Sequence, residues 1–122
     1  QGTRSAEILK LWIGLRHLGD DGIKDLLENA LLRCNYLEAK IDSKKFDVIR
    51  GPLHLIALTP KGASNSKAAK WSQMTRKLLL EKNYMLSRPL KKDRYYLKAV
   101  LGNPHTNFQH LDQLSDFINK TI

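Results

Sequence analysis

The chain has 122 residues, of which 42% are hydrophobic and 27% charged, a balance that fits one soluble globular core and excludes two. No apolar run is long enough to span a bilayer, and the residues from Gln1 onward do not read as a signal peptide. A formal net charge of +9 keeps nucleic acid open as a partner class, while the single cysteine, Cys34, excludes an intrachain disulfide and is expected in a reducing, cytoplasmic setting.

The first predicted helix runs from Arg4 to Leu18, with Thr3 or Ser5 as its N-cap and Gly19 ending it in a left-handed turn. Placed about 100° apart, Leu18, Leu11, Leu15, Ile8, Trp12, Leu9 and Ile13 cover an arc of roughly 220°, far wider than the stripe of a one-sided surface helix. Such a helix needs two bodies to pack against, and a chain this short supplies one. Asp20-Asp21-Gly22 restarts the chain, an aspartate favouring the positive end of the next helix. In that second helix Ile23, Leu26, Leu27, Ala30, Leu31, Cys34, Leu37 and Ile41 form a buried stripe, and Lys24, Glu28, Arg33 and Glu38 fall off it. Cys34 thus reads as a small core residue and not a nucleophile.

Phe46 to Ile49 reads as a short strand, Gly51-Pro52 as a bend, and Leu53 to Leu58 as a second strand that Thr59-Pro60 stops. Ser64 or Ser66 can cap a helix reaching about Lys82, with Trp71, Met74, Leu78 and Leu79 inward. Tyr84 to Ser87 reads as a third strand, Pro89 to Asp93 as a basic turn, and Tyr95 to Leu101 as a strand with large side chains on both faces. Thr106 and Gln109 have capping-box spacing before a last helix whose apolar side is Phe108, Leu111, Leu114, Phe117 and Ile118. The order of elements predicts an α+β fold, a small, mostly antiparallel sheet of three to four strands covered by helices.

Candidate chemistry is sparse. His17, His54, His105 and His110 share no metal-ligand spacing with one another or with Cys34, no glycine-rich phosphate loop is present, and no nucleophile motif occurs. Between Lys61 and Lys98 only Glu81 and Asp93 oppose eleven basic residues, but without the aromatic and glycine pattern of an RNA-binding sheet the excess reads as a solvated face.

Two stretches carry a family resemblance. Arg4, Leu9-Lys10-Leu11-Trp12 and Leu15-Arg16-His17-Leu18-Gly19-Asp20-Asp21-Gly22 open the chain, and Tyr84-Met85-Leu86-Ser87, then Leu97 to Thr106, then Leu111-Asp112-Gln113-Leu114 close it. In order and spacing the chain resembles the C-terminal portion of the pyridoxal-phosphate-dependent group II amino acid decarboxylases, the family of glutamate, aromatic amino acid and diaminobutyrate decarboxylases. The resemblance implies a fold-type I enzyme in which residues 1–122 are the single small C-terminal domain. The large domain, absent here, would hold pyridoxal 5'-phosphate on a lysine that follows a histidine, and no His-Lys pair occurs in this chain. It also implies an obligate homodimer with active sites at the subunit interface, an amino acid substrate, no membrane partner, and a fragment inactive alone, with no catalytic, cofactor-binding or metal-binding residue of its own.

By the same resemblance, Lys98 stands where many relatives carry an arginine that binds the substrate's α-carboxylate, a departure that the diaminobutyrate-like branch tolerates. The alternative for Lys98 is a side chain snorkelling from a sheet face. Leu53-His54-Leu55-Ile56 lacks the asparagine of many relatives. Arg4, Lys10 and Trp12 would make interdomain contacts. Two rival readings stand beside the decarboxylase: a standalone basic module binding nucleic acid, and a dimerisation domain without chemistry.

Overall fold

The computed structural model describes residues 2–122, with side chains from Glu7 onward. Element order is α1 (Gly2–Lys40), β1 (Phe46–Arg50), β2 (Leu55–Pro60), α2 (Asn65–Glu81), β3 (Leu90–Lys91), β4 (Arg94–Tyr95), β5 (Leu97–Val100) and α3 (Phe108–Asn119). This is the expected α+β architecture: an antiparallel three-stranded sheet in the order β1-β2-β5, with a separate β3-β4 hairpin.

Two helices meet within α1 at Gly19, where φ is 66 and ψ is 179. That combination is open to glycine almost alone, so the chain breaks where expected, although its ψ is extended and not that of a left-handed helical turn. The arm before the break and the helix after it behave differently. Every residue from Glu7 to Asp21 is exposed, whereas Ala30, Arg33, Cys34, Leu37 and Ile41 are buried. The expected stripe is therefore buried only in its last three turns, and Leu27, Leu31 and Leu32 face solvent.

Register fixes which side of the sheet is dry. Ile56 pairs with Ala99 and Leu58 with Leu97 and Val48, all pointing into the core with Phe46. Leu79 of α2 and Leu111, Leu114 and Ile118 of α3 close that core, and Phe46 meets the Trp71 ring at 5.4 Å. The helix after Gly19 is tied to α3 by polar contacts at the rim. Tyr36 donates its hydroxyl to Asp112 Oδ1 at 2.7 Å and stacks on Phe108 at 4.4 Å, while the Asn119 amide donates to Lys40 O and accepts from Asp42 N.

Several expectations are corrected. The second strand is Leu55–Pro60 and not 53–58: Leu53 has φ 54 in a turn closed by Gly51 N donating to Leu55 O, and Pro60 sits at the sheet end opposite Phe46. A proline at a strand's last residue forfeits one ladder bond without stopping the strand earlier. Tyr84 to Ser87 is no strand, since it touches β5 only through the Ser87–Lys98 bridge. The expected Tyr95–Leu101 strand breaks at Tyr96, because Arg94 and Tyr95 belong to a hairpin whose two-residue turn, Lys92 and Asp93, has φ 49 and φ 63. On α2 the buried face is Ala68, Ser72, Thr75 and Leu79, leaving Met74 and Leu78 exposed. The small residues turn inward because Arg88 comes in above them, donating to Ser72 Oγ at 2.8 Å and to Ala69 O at 3.0 Å. The capping box is Asn107–His110, one residue later than expected, with Asn107 Oδ1 accepting from His110 N at 2.9 Å.

Candidate functional site

The residues singled out from the sequence fall on two uncovered surfaces. One is the arm of α1 before Gly19. Ile8 is 68% exposed and Trp12 53%, and Leu9, Leu11, Ile13, Leu15 and Leu18 are exposed with them. Arg16 lies over the Trp12 ring at 5.1 Å. Lys10 is exposed on the same arm, and the side chain of Arg4 lies outside the described residues.

The other is the sheet face turned away from the core. By register Leu55 stands beside Val100, Ala57 beside Lys98, and Ile49 beside Ala57. Val100 and Ile49 are exposed, and Lys98 is half-buried among these apolar neighbours. Its backbone is pinned on the other side, Lys98 N donating to Ser87 O at 2.8 Å and Ser87 N to Lys98 O at 3.0 Å. Among the described residues no ion pair or side-chain hydrogen bond engages the Lys98 ammonium. A single cation on an apolar floor is suited to a small carboxylate once a second body excludes water, because the attraction strengthens as the local dielectric falls.

Cys34 and His110 are structural. Cys34 is fully buried, and burial pushes its thiol up, against the smaller opposite pull of Arg50 and Arg33, so the reactive thiolate is disfavoured. His110 caps α3. Among the described residues no group of histidine, cysteine, aspartate or glutamate could hold a metal ion. No described helix is long and apolar enough to cross a membrane.

The fold has counterparts among solved structures. Oryza sativa TDC with PLP and tryptamine superposes with TM-score 0.79 at 16% identity, over 93% of this chain and 26% of that one. Catharanthus roseus tryptophan decarboxylase in complex with L-tryptophan gives 0.73 at 19% identity, over 93% and 24%. The glutamate decarboxylase domain of a Vibrio parahaemolyticus diaminobutyrate-pyruvate transaminase and L-2,4-diaminobutyrate decarboxylase gives 0.69 at 16%, over 93% and 25%. This chain has the fold of one segment of these decarboxylases. It spans about a quarter of their length. No family model and no curated protein sequence matches it. At such identities the decarboxylase likeness rests on the course of the backbone.

Sequence reasoning singled out Lys98, Lys10 and Trp12, and placed the last two on the helix before Gly19. Lys98 is on the open sheet face, while Lys10 and Trp12 are on the arm beyond the Gly19 break. It missed Arg33, which is 5% exposed and donates Nε to Leu101 O at 2.8 Å. Leu101 closes the segment that carries Lys98. A periodicity argument sends a charged residue outward by default, so nothing in the pattern marks an arginine that reaches across a core edge.

Proposed function

We propose that this chain is the small C-terminal domain of a pyridoxal-phosphate-dependent amino acid decarboxylase, and that a large domain outside these residues covers the arm and the open sheet face. The observation that carries the reading is the exposed apolar arm, on a domain whose fold is shared with decarboxylases about four times as long. Burying the arm's seven large apolar side chains would gain on the order of 5–10 kcal/mol, ample for an obligate interface. Left in water, a helix this short is marginal.

The residues of the open face fit a wall against the substrate and not a seat for the cofactor. They offer the Lys98 ammonium and a floor of Ile49, Leu55, Ala57 and Val100, and the carboxylate that alternation puts on this face, Asp47, is paired with Lys61 at 3.7 Å. When bound by the large domain, pyridoxal phosphate supplies the electron sink for loss of carbon dioxide. The share of this chain is to orient: Lys98 holds the substrate's α-carboxylate as a point charge, and the floor keeps water out. Lysine lacks the fork of arginine, so the carboxylate is held less strictly. Arg4, Lys10 and Trp12 contact the large domain, and two copies of the whole protein pair in the cytoplasm with the cleft at their interface.

Steady-state kinetics of the full-length protein test this. Lys98→Ala should lower kcat/KM about tenfold or more with cofactor absorbance intact, and Lys98→Arg should restore most of it. Unchanged kinetics in Lys98→Ala would remove Lys98 from the site. An upstream coding region without a His-Lys pair would remove the decarboxylase itself.

A further inference from the structure

A concave site lies where β1 begins and β2 ends, past the C-terminal end of the helix of residues 20–40, whereas the arm joins that helix at its other end, about 30 Å along its axis. It is a cavity of about 410 Å³ lined by Lys44, Lys45, Lys61 and Lys67, with Trp71 and Ile122 in its wall. Four lysines thus border one small space, and the backbone sets two of them side by side. Lys61 N donates to Lys45 O at 2.8 Å, continuing the ladder one step beyond Phe46 and Pro60, so Lys45 and Lys61 stand directly opposite each other. Like charges in that position are destabilising.

The partners that hold these ammoniums are mostly neutral. Lys45 Nζ donates to Asn119 O at 2.9 Å and Lys61 Nζ to Ser43 O at 2.7 Å, which fixes their positions and leaves donors and charge to spare. Among the described residues the one carboxylate in ion-pair range of the four is Asp47, 3.7 Å from Lys61 Nζ, and both groups are about half exposed. Such a pair is weak. The first turn of α2, which contributes Lys67, carries no acidic residue.

We infer that this cavity binds a small soluble phosphate compound with two or more negative charges, independently of the decarboxylase reading. The volume suits a compact ligand. Trp71 reports on it: its Nε1 is held by Thr121 Oγ1 at 2.9 Å while its ring walls the cavity. Trp12 is the other tryptophan, so Trp12→Phe leaves Trp71 as the sole emitter.

The test titrates the Trp12→Phe chain with pyrophosphate at constant ionic strength, following Trp71 emission and, by calorimetry, stoichiometry. The expected result is saturable one-to-one binding, weakened about tenfold or more by the double change Lys44→Gln with Lys67→Gln and unaffected by Lys24→Gln with Lys77→Gln. Equal weakening by both pairs would reduce the effect to general basicity and overturn the site. So would no saturation, or binding only to vesicles containing phosphatidic acid, which would make the surface a membrane contact.

Discussion

Arg33 carries its charge into the edge of the core, and its one described bond, Nε to Leu101 O, leaves the buried Nη2 without a partner. Arg33→Ala should cost about 2 kcal/mol in urea unfolding, whereas Arg33→Met should cost less than about 1 kcal/mol, since methionine fills the space without an unpaired donor. Tyr36 gives a pH-dependent contact. Its hydrogen bond to Asp112 is the largest of the causes that raise its hydroxyl above the usual value near 10, followed by burial and the Asp112 charge. The neutral phenol is the donor, so the stabilisation is fully present below the unfolded value and is lost as pH rises through the higher folded one. The urea midpoint of the wild-type chain should therefore fall through this range more steeply than that of Tyr36→Phe.

Among the elements, α3 tests the capping assignment. Asn107→Ala should cost about 1 kcal/mol, and Thr106→Ala only a few tenths, by thermal or urea unfolding. Equal losses would return the cap to Thr106. The sequence placed the helices, the break at Gly19, β1 and, two residues early, β2, because helical spacing, glycine and alternation are local signals. It misjudged inward faces where arginines intervene. Arg88 stacks on Tyr95 at 3.6 Å while bonding α2, and Arg94 donates to Ala63 O and Pro60 O ahead of that helix, so part of the basic stretch is internal scaffolding and not a solvated face. The turn expected at Pro89 to Asp93 is present, but its pairing of Leu90–Lys91 with Arg94–Tyr95 was not legible, since two-residue strands carry no alternation to read.

For the whole molecule, the wide apolar arc was legible before any coordinates, because one helix can be counted around its axis. The open sheet face was not, since strand pairing and helix placement must be known before a face can be called bare. Together they describe a domain with a finished interior and an unfinished exterior. Hydrogen exchange of residues 7–18 measures this directly, comparing the 122-residue chain alone with the same residues in a longer protein carrying the proposed large domain. Amides of the arm should exchange rapidly in the isolated chain and become protected by two or more orders of magnitude in the longer protein. Slow exchange in the isolated monomer, or unchanged rapid exchange in the longer protein, would contradict the account.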